Sequence, residues 1–159
     1  MSRLDMFIKR MSAQRDLLNL IRDQNLLPEG PIMEVGLGNG RTYSHLTESF
    51  PDRRIIVFDR HVAAHKSSIP QEENLVVGEI RETARDFIGS EAALVHADIG
   101  TGYPEKDAIV MSWLPELVAG MLRSGGYAVS GLALDHPQLE TLPIPVHIEP
   151  GRYYFYRKI

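Results

Sequence analysis

Cysteine is absent from this 159-residue chain, which excludes disulfides, thiolate metal sites and a cysteine nucleophile together. Long apolar runs are missing too. No segment approaches the roughly 20 apolar residues that cross a bilayer, and Met1-Ser2-Arg3-Leu4-Asp5-Met6 mixes charge with apolar residues where a secretory signal is continuously apolar. The expected location is therefore cytoplasmic, with no membrane partner. There is no excess of positive charge either: the net charge is −4 with both signs interspersed, which points away from nucleic acid as the main partner. Internal repeats and low-complexity segments do not occur. What is present, 43% hydrophobic and 24% charged residues, matches an ordinary soluble domain. The length predicts one domain over residues 1–159, with an amino-terminal amphipathic helix in 1–27 and a core in 31–159.

Leu4, Phe7, Ile8, Met11, Leu18 and Ile21 recur at helical spacing across residues 2–24, with Arg3, Lys9, Arg10 and Arg15 reading as the solvated face. Two prolines and a glycine in residues 26–31 end that helix. Near-continuous apolar runs follow at 54–59, 75–80, 92–98 and 127–134, separated by helical patterns at 41–50, after 80, and at 105–123, where Pro115 is expected to kink or divide the helix. Strands of this kind are buried on both faces, as in parallel sheets. The alternation predicts right-handed βαβ crossovers and a doubly wound, mostly parallel α/β sheet of seven strands. Residues 146–149 and 152–156, around Pro150-Gly151, are expected to close it as a carboxy-terminal antiparallel hairpin.

The densest signal lies at Glu34-Val35-Gly36-Leu37-Gly38-Asn39-Gly40, between the apolar Pro31-Ile32-Met33 and the helical Arg41-Thr42-Tyr43. Glycines at alternate positions let the backbone take positive φ and approach a ligand closely. The helix that follows offers unpaired N–H groups. A carboxylate two residues before the first glycine would repel a pyrophosphate but suits a ligand carrying an ammonium group.

With these residues the chain resembles the class I S-adenosylmethionine-dependent methyltransferase family over residues 30–159. Glu34 to Gly40 is similar to the family's first motif, and Asp59 to the acidic residue that ends its second strand. Gly78-Glu79-Ile80 looks like the adenine-contacting motif, His96-Ala97-Asp98 matches the position of an acidic fourth motif, and residues 122–126 resemble the turn before strand five. The resemblance implies S-adenosyl-L-methionine as cofactor. Gly36, Leu37, Gly38, Asn39, Gly40 and Thr42 would then cradle its methionine part, with Glu34 balancing the ammonium or orienting the loop. Asp59 would accept hydrogen bonds from the ribose hydroxyls, as acidic residues do in dinucleotide folds. Ile80 would pack on adenine, and Gly78 and Glu79 would meet its polar edge.

Asp98 would hold the cofactor amine, order the acceptor or take a proton. His96, two residues earlier on the same side of the strand, and Tyr103 are further catalytic candidates, although an apolar strand more often holds a histidine as a hydrogen-bonded core residue. Residues 96–103 are also similar to the small-molecule O-methyltransferase branch. The second acidic cluster of its metal-dependent members is replaced here by Ser130-Gly131, so no metal is expected; Asp135-His136 reads as a turn or cap. The leading function is methyl transfer to a small molecule, with self-association through the first helix or the aromatic edge as a possible assembly. Two other readings stand beside it. One is a noncatalytic cofactor-binding or assembly protein on the same scaffold; the other is an NAD-dependent oxidoreductase, disfavoured because Gly40 follows Gly38 by two residues rather than three.

Overall fold

A computed structural model describes residues 1–159. Five parallel strands, β1 (Ile32–Val35), β2 (Ile55–Asp59), β3 (Leu75–Val77), β4 (Ala92–Ala97) and β5 (Leu122–Ser130), are joined by β6 (Leu139–Thr141) and β7 (Tyr154–Lys158) in one sheet. Its order is β3-β2-β1-β4-β5-β7-β6, with β7 antiparallel to both β5 and β6. The crossovers run outward from β1 to β2 and β3 and then return to β4 and β5. The chain therefore reverses direction between β1 and β4, and their carboxyl ends open a crevice at that point.

Alternation along the strands sends successive side chains to opposite faces. Met33, Val35, Ile56, Phe58, Val95, Ala97 and Ala128 pack beneath α3 (Ile80–Thr83) and α4 (Pro104–Met121). Ile32, Ile55, Val57, Leu94, Val129 and Phe155 pack beneath α1 (Arg3–Asp23) and α2 (Arg41–Ser49). β1 and β4 are buried along their whole length, as their unbroken apolar character requires.

Three local expectations are corrected. The hairpin partner of β7 is Leu139–Thr141, not residues 146–149. Pro143, Pro145 and Pro150 flank that stretch, so it forms turns in which Ile148 is buried and Val146 is fully exposed; proline cannot donate to a ladder. Pro115 does not divide its helix, because α4 runs unbroken from Pro104 to Met121 with Pro115 buried. α1 buries only the carboxy-terminal part of the face that its apolar period implied. Ala13, Gln14, Leu17, Leu18 and Ile21 are buried, whereas Leu4 and Ile8 are 66% and 52% exposed. The carboxy-terminal half of α1 lies on the sheet and its amino-terminal half projects past the strand ends. A Ser2–Asp5 capping box starts that projecting half.

Candidate active site

The glycine turn sits where β1 ends. Gly36, Gly38 and Gly40 all have positive φ, at +96°, +53° and +91°. A Cβ at Gly36 would stand 2.6 Å from Ile99 Cγ2 and 3.0 Å from the Asp98 carbonyl oxygen, so its hydrogen is needed for close packing. At Gly38 a Cβ would meet nothing within 4 Å, which leaves that side of the turn open to a ligand. Gly36→Ala is expected to lower the unfolding free energy by about 1–3 kcal/mol. Gly38→Ala is expected to cost only about 1 kcal/mol, since its strain is confined to φ. Urea denaturation of both variants checks this, and equal midpoints would refute it.

Asp59, at the end of β2, holds the turn from the side. Its Oδ2 accepts the Leu37 and Gly38 amides at 2.8 and 3.1 Å, and its Oδ1 accepts the Arg60 amide at 2.7 Å. Gly40 then serves as the N-cap of α2 without any side-chain cap bond, so no side chain closes over the first N–H groups of that helix. Asn39 is exposed at the rim, and its carbonyl accepts the His65 amide at 3.0 Å.

Opposite the turn, Asp98 follows β4. Its side chain is 20% exposed, with Oδ1 bound by the Arg10 guanidinium and Oδ2 lying 3.4 Å from the Gln14 amide nitrogen. Gln14 is buried and branches the network. Its nitrogen donates to the Tyr153 hydroxyl at 3.0 Å and its oxygen accepts from the Thr42 hydroxyl at 2.6 Å. The Tyr153 hydroxyl lies 2.6 Å from His96 Nε2, and His96 Nδ1 meets Glu34 Oε1. With His96 neutral, Tyr153 donates to Nε2 and Nδ1–H donates to Glu34, which satisfies every proton in the line. A single connected set of polar side chains thus runs from a buried carboxyl to the exposed strand ends.

Glu34 and His96 are cross-strand partners with no solvent exposure. Burial pushes the Glu34 carboxyl up from its usual range. Burial alone would lower His96, but the Glu34 carboxylate and the hydrogen bond to it outweigh that and hold the imidazole up. Both shifts mean that the folded state binds more protons than the unfolded chain. The associated stabilisation is complete below the ordinary values of 4.5 for Glu34 and 6.5 for His96, and it is lost as pH rises through the raised folded values. The melting temperature is therefore expected to fall as pH rises above these ordinary values, and Glu34→Gln to flatten the fall. Parallel profiles for the two proteins would refute the assignment.

Two cavities meet at this place. One of about 150 Å³ is floored by the turn from Gly36 to Thr42 and roofed by Phe7, Arg10 and Met11 of α1. The other, of about 500 Å³, extends from Arg10 and Asp98 toward Thr101, Asp107 and Leu132. Phe7, Arg10 and Asp98 border both. The carboxylate that borders both cavities is thus Asp98, with Asp107 on the larger one alone, while Glu34 and His96 line neither and lie beneath them. Tyr103 is 60% exposed with Lys106 Nζ 5.1 Å from its ring centroid, and it too lines neither.

At the far end of the crevice Gly78 has a φ of +148°, and Glu79 pairs with Arg60 at 3.1 Å on the surface. Ile80 turns into the core under α3, while Val77 stands 53% exposed beside it. His136 bonds Glu116 at 2.8 Å and accepts the Gln138 amide, forming a turn. Arg10, Gln14 and Tyr153 were not recognised as site residues from sequence. Arg10 belongs to no solvated face, and its only advance signal was its place one turn before the buried polar Gln14.

The chain matches a family described as S-adenosyl-L-methionine methyltransferase over residues 1–158. It is 40% identical to the S-adenosyl-L-methionine methyl transferase of Silicibacter pomeroyi DSS-3, with 99% of each chain covered and a TM-score of 0.91. Human methyltransferase-like protein 13, solved in complex with SAH, shares 15% identity over 94% of this chain and 81% of its own, with a TM-score of 0.61. The antibiotic-resistance methyltransferase Kmr shares 15% identity over 91% and 92%, with a TM-score of 0.56. No curated protein matches the chain.

Proposed function

This chain belongs to the S-adenosyl-L-methionine methyltransferase family, and on that premise we propose that its methyl acceptor is a small molecule bound in the cavity beside Asp98. It is an enzyme whose cofactor is S-adenosyl-L-methionine. The residues at the strand ends fit that cofactor. Gly38 leaves open space over the turn, Asp98 offers a carboxylate to an ammonium group, Thr42 offers a hydroxyl, and Asp59 offers a second carboxylate on the ribose side. Val77 supplies an exposed apolar surface next to Gly78 and Glu79 for the base. Glu34 acts from beneath, through His96 and Tyr153, on the position of Gln14.

Bound there, S-adenosyl-L-methionine supplies a methyl group on a sulfonium leaving group, so the protein's part is largely positioning and exclusion of water. Asp98 borders both cavities and is placed to orient the acceptor and to receive its proton. Arg10 fixes the Asp98 carboxylate, and Phe7 and Met11 cover the crossing point with apolar surface. His96 is assigned a positioning role, because its ring touches Glu34 and Tyr153 and reaches no cavity.

The observation that carries the small-molecule reading is the cavity beside Asp98 that α1 lines along one side. Its volume of about 500 Å³ lies within the range of small-molecule sites. The net charge of −4 likewise supports an acceptor other than nucleic acid, drawn from a cytoplasmic pool. Incubation of the protein and labelled S-adenosyl-L-methionine with a cell extract tests it. Label is expected in the acid-soluble small-molecule fraction; label confined to RNA or protein would overturn the reading.

Asp59→Ala is expected to weaken cofactor binding by about 1–3 kcal/mol, since it removes the acceptor for the ribose hydroxyls and also releases the Leu37 and Gly38 amides. Calorimetric titration with S-adenosylhomocysteine measures this. Unchanged affinity would exclude Asp59 from the site.

A further inference from the structure

The larger cavity is lined by more basic than acidic side chains. Arg3, Arg10 and Arg152 line it against two carboxylates, Asp98 and Asp107. The carboxylates are already satisfied. Asp98 is bound by Arg10 and Gln14, and Asp107 accepts from the Thr101 amide and hydroxyl at 2.7 and 2.8 Å and from the Gly102 amide at 3.3 Å. Arg152, whose side chain is 18% exposed, pairs with Glu149, whose side chain is 55% exposed, so solvent screens one end of that pair. Arg3 forms an ion pair with no carboxylate. The lining thus holds three cations against two anions, and Arg3 is the cation left without a partner. Its remaining wall is apolar, from Met6, Phe7 and Leu132.

We propose that the methyl acceptor is a small carboxylic acid with an apolar body, its carboxylate held by Arg3 and Arg152 and its nucleophile directed toward Asp98. The assignment rests on the small-molecule reading above and adds the substrate class. A guanidinium presents paired donors that match the two oxygens of a carboxylate. Two of them in one cavity with the apolar Met6, Phe7 and Leu132 and with Asp98 suit an amphiphilic acid whose charge is held by the arginines and whose reacting end faces Asp98. A neutral isostere would leave both forks unmatched and lose the main polar contact that distinguishes acid from amide.

The test uses the full chain saturated with S-adenosylhomocysteine and matched acid and amide pairs that differ only in charge. Suitable frameworks are 4-hydroxybenzoate with 4-hydroxybenzamide, 3-phenylpropionate with its amide, and hexanoate with hexanamide, followed by ligand-observed NMR. Acids are expected to bind about tenfold or more tightly than their amides, and Arg3→Gln and Arg152→Gln each to remove most of that preference. Circular dichroism confirms that the variants fold, and both positions lie near the surface. Equal binding of acids and amides, or a preference that survives both substitutions, overturns the carboxylate assignment while leaving a small-molecule acceptor standing. If no member of any pair binds to a protein that does bind S-adenosylhomocysteine, the carboxylate assignment falls, while the small-molecule reading stands or falls by where the label goes in the cell extract.

Discussion

Asp98→Ala is expected to weaken S-adenosylhomocysteine binding by about 3 kcal/mol, or more than a hundredfold, and to reduce methyl transfer at least as much. Two losses combine. The cofactor's ammonium loses its charged acceptor, a bond worth about 1.5–3 kcal/mol. The Arg10 guanidinium is also left in the same crevice without its carboxylate. Because the Asp98 side chain is 20% exposed and that of Arg10 35%, water moderates the second loss, and the lower part of the usual range for a broken buried pair applies. Asp98→Asn keeps the shape and one acceptor oxygen, so it should retain part of the affinity and lose more of the rate. Titration calorimetry and initial rates separate the two. An alanine variant with wild-type affinity would remove Asp98 from the site.

The largest effect on stability is expected from His96→Leu, at about 3–5 kcal/mol. The substitution strands Glu34 in a layer with no solvent exposure, where its Oε2 already has no hydrogen-bond partner. A stranded carboxyl can still take up a proton. Its raised pKa should rise further once His96 no longer favours the charged form, so the cost should be smaller near pH 5 than near pH 8. Replacing Glu34 with Met and Tyr153 with Phe in the same protein should recover much of the loss, because an apolar set of similar volume needs no partners. Urea denaturation at the two pH values is the measurement. A loss below about 1 kcal/mol would mean that the buried line of side chains contributes little to holding the fold.

The placement of the glycine turn, Asp59 and Asp98 at the strand ends was legible in the sequence because each is local: an apolar run stops, and a glycine or a carboxylate follows within a few residues. The seven-stranded, mostly parallel sheet was legible for a similar reason, since its strands are unbroken apolar runs. The roof over the site was not. Arg10 and Gln14 reach Asp98 across 88 and 84 residues, and helical period identifies which residues share a face without saying where along its length the helix leaves the sheet. Leu4, Phe7 and Ile8 continue the apolar period of Leu18 and Ile21, yet they project beyond the last strand that could cover them. β6 was missed because Leu139–Thr141 is three residues long and lies among prolines, whereas Val146 and Ile148 imitate a strand in a segment that turns. Tyr153 was legible as an aromatic, but not as the hydroxyl that joins His96 to Gln14.

Asp59 has a consequence that reaches beyond its own contacts. It holds the Leu37 and Gly38 amides, so a stretch with three glycines, the residue type with the most backbone freedom to lose, is fixed by the protein's own contacts. Confining three glycines is unfavourable by roughly 0.5–1 kcal/mol each relative to alanine in a regular element, and that loss is borne during folding. Association then has little backbone left to immobilise. The protein gives up some of its own durability for a cradle that is preorganised. Its affinity for a cofactor should therefore vary less with temperature and crowding than that of a loop which closes only on its guest.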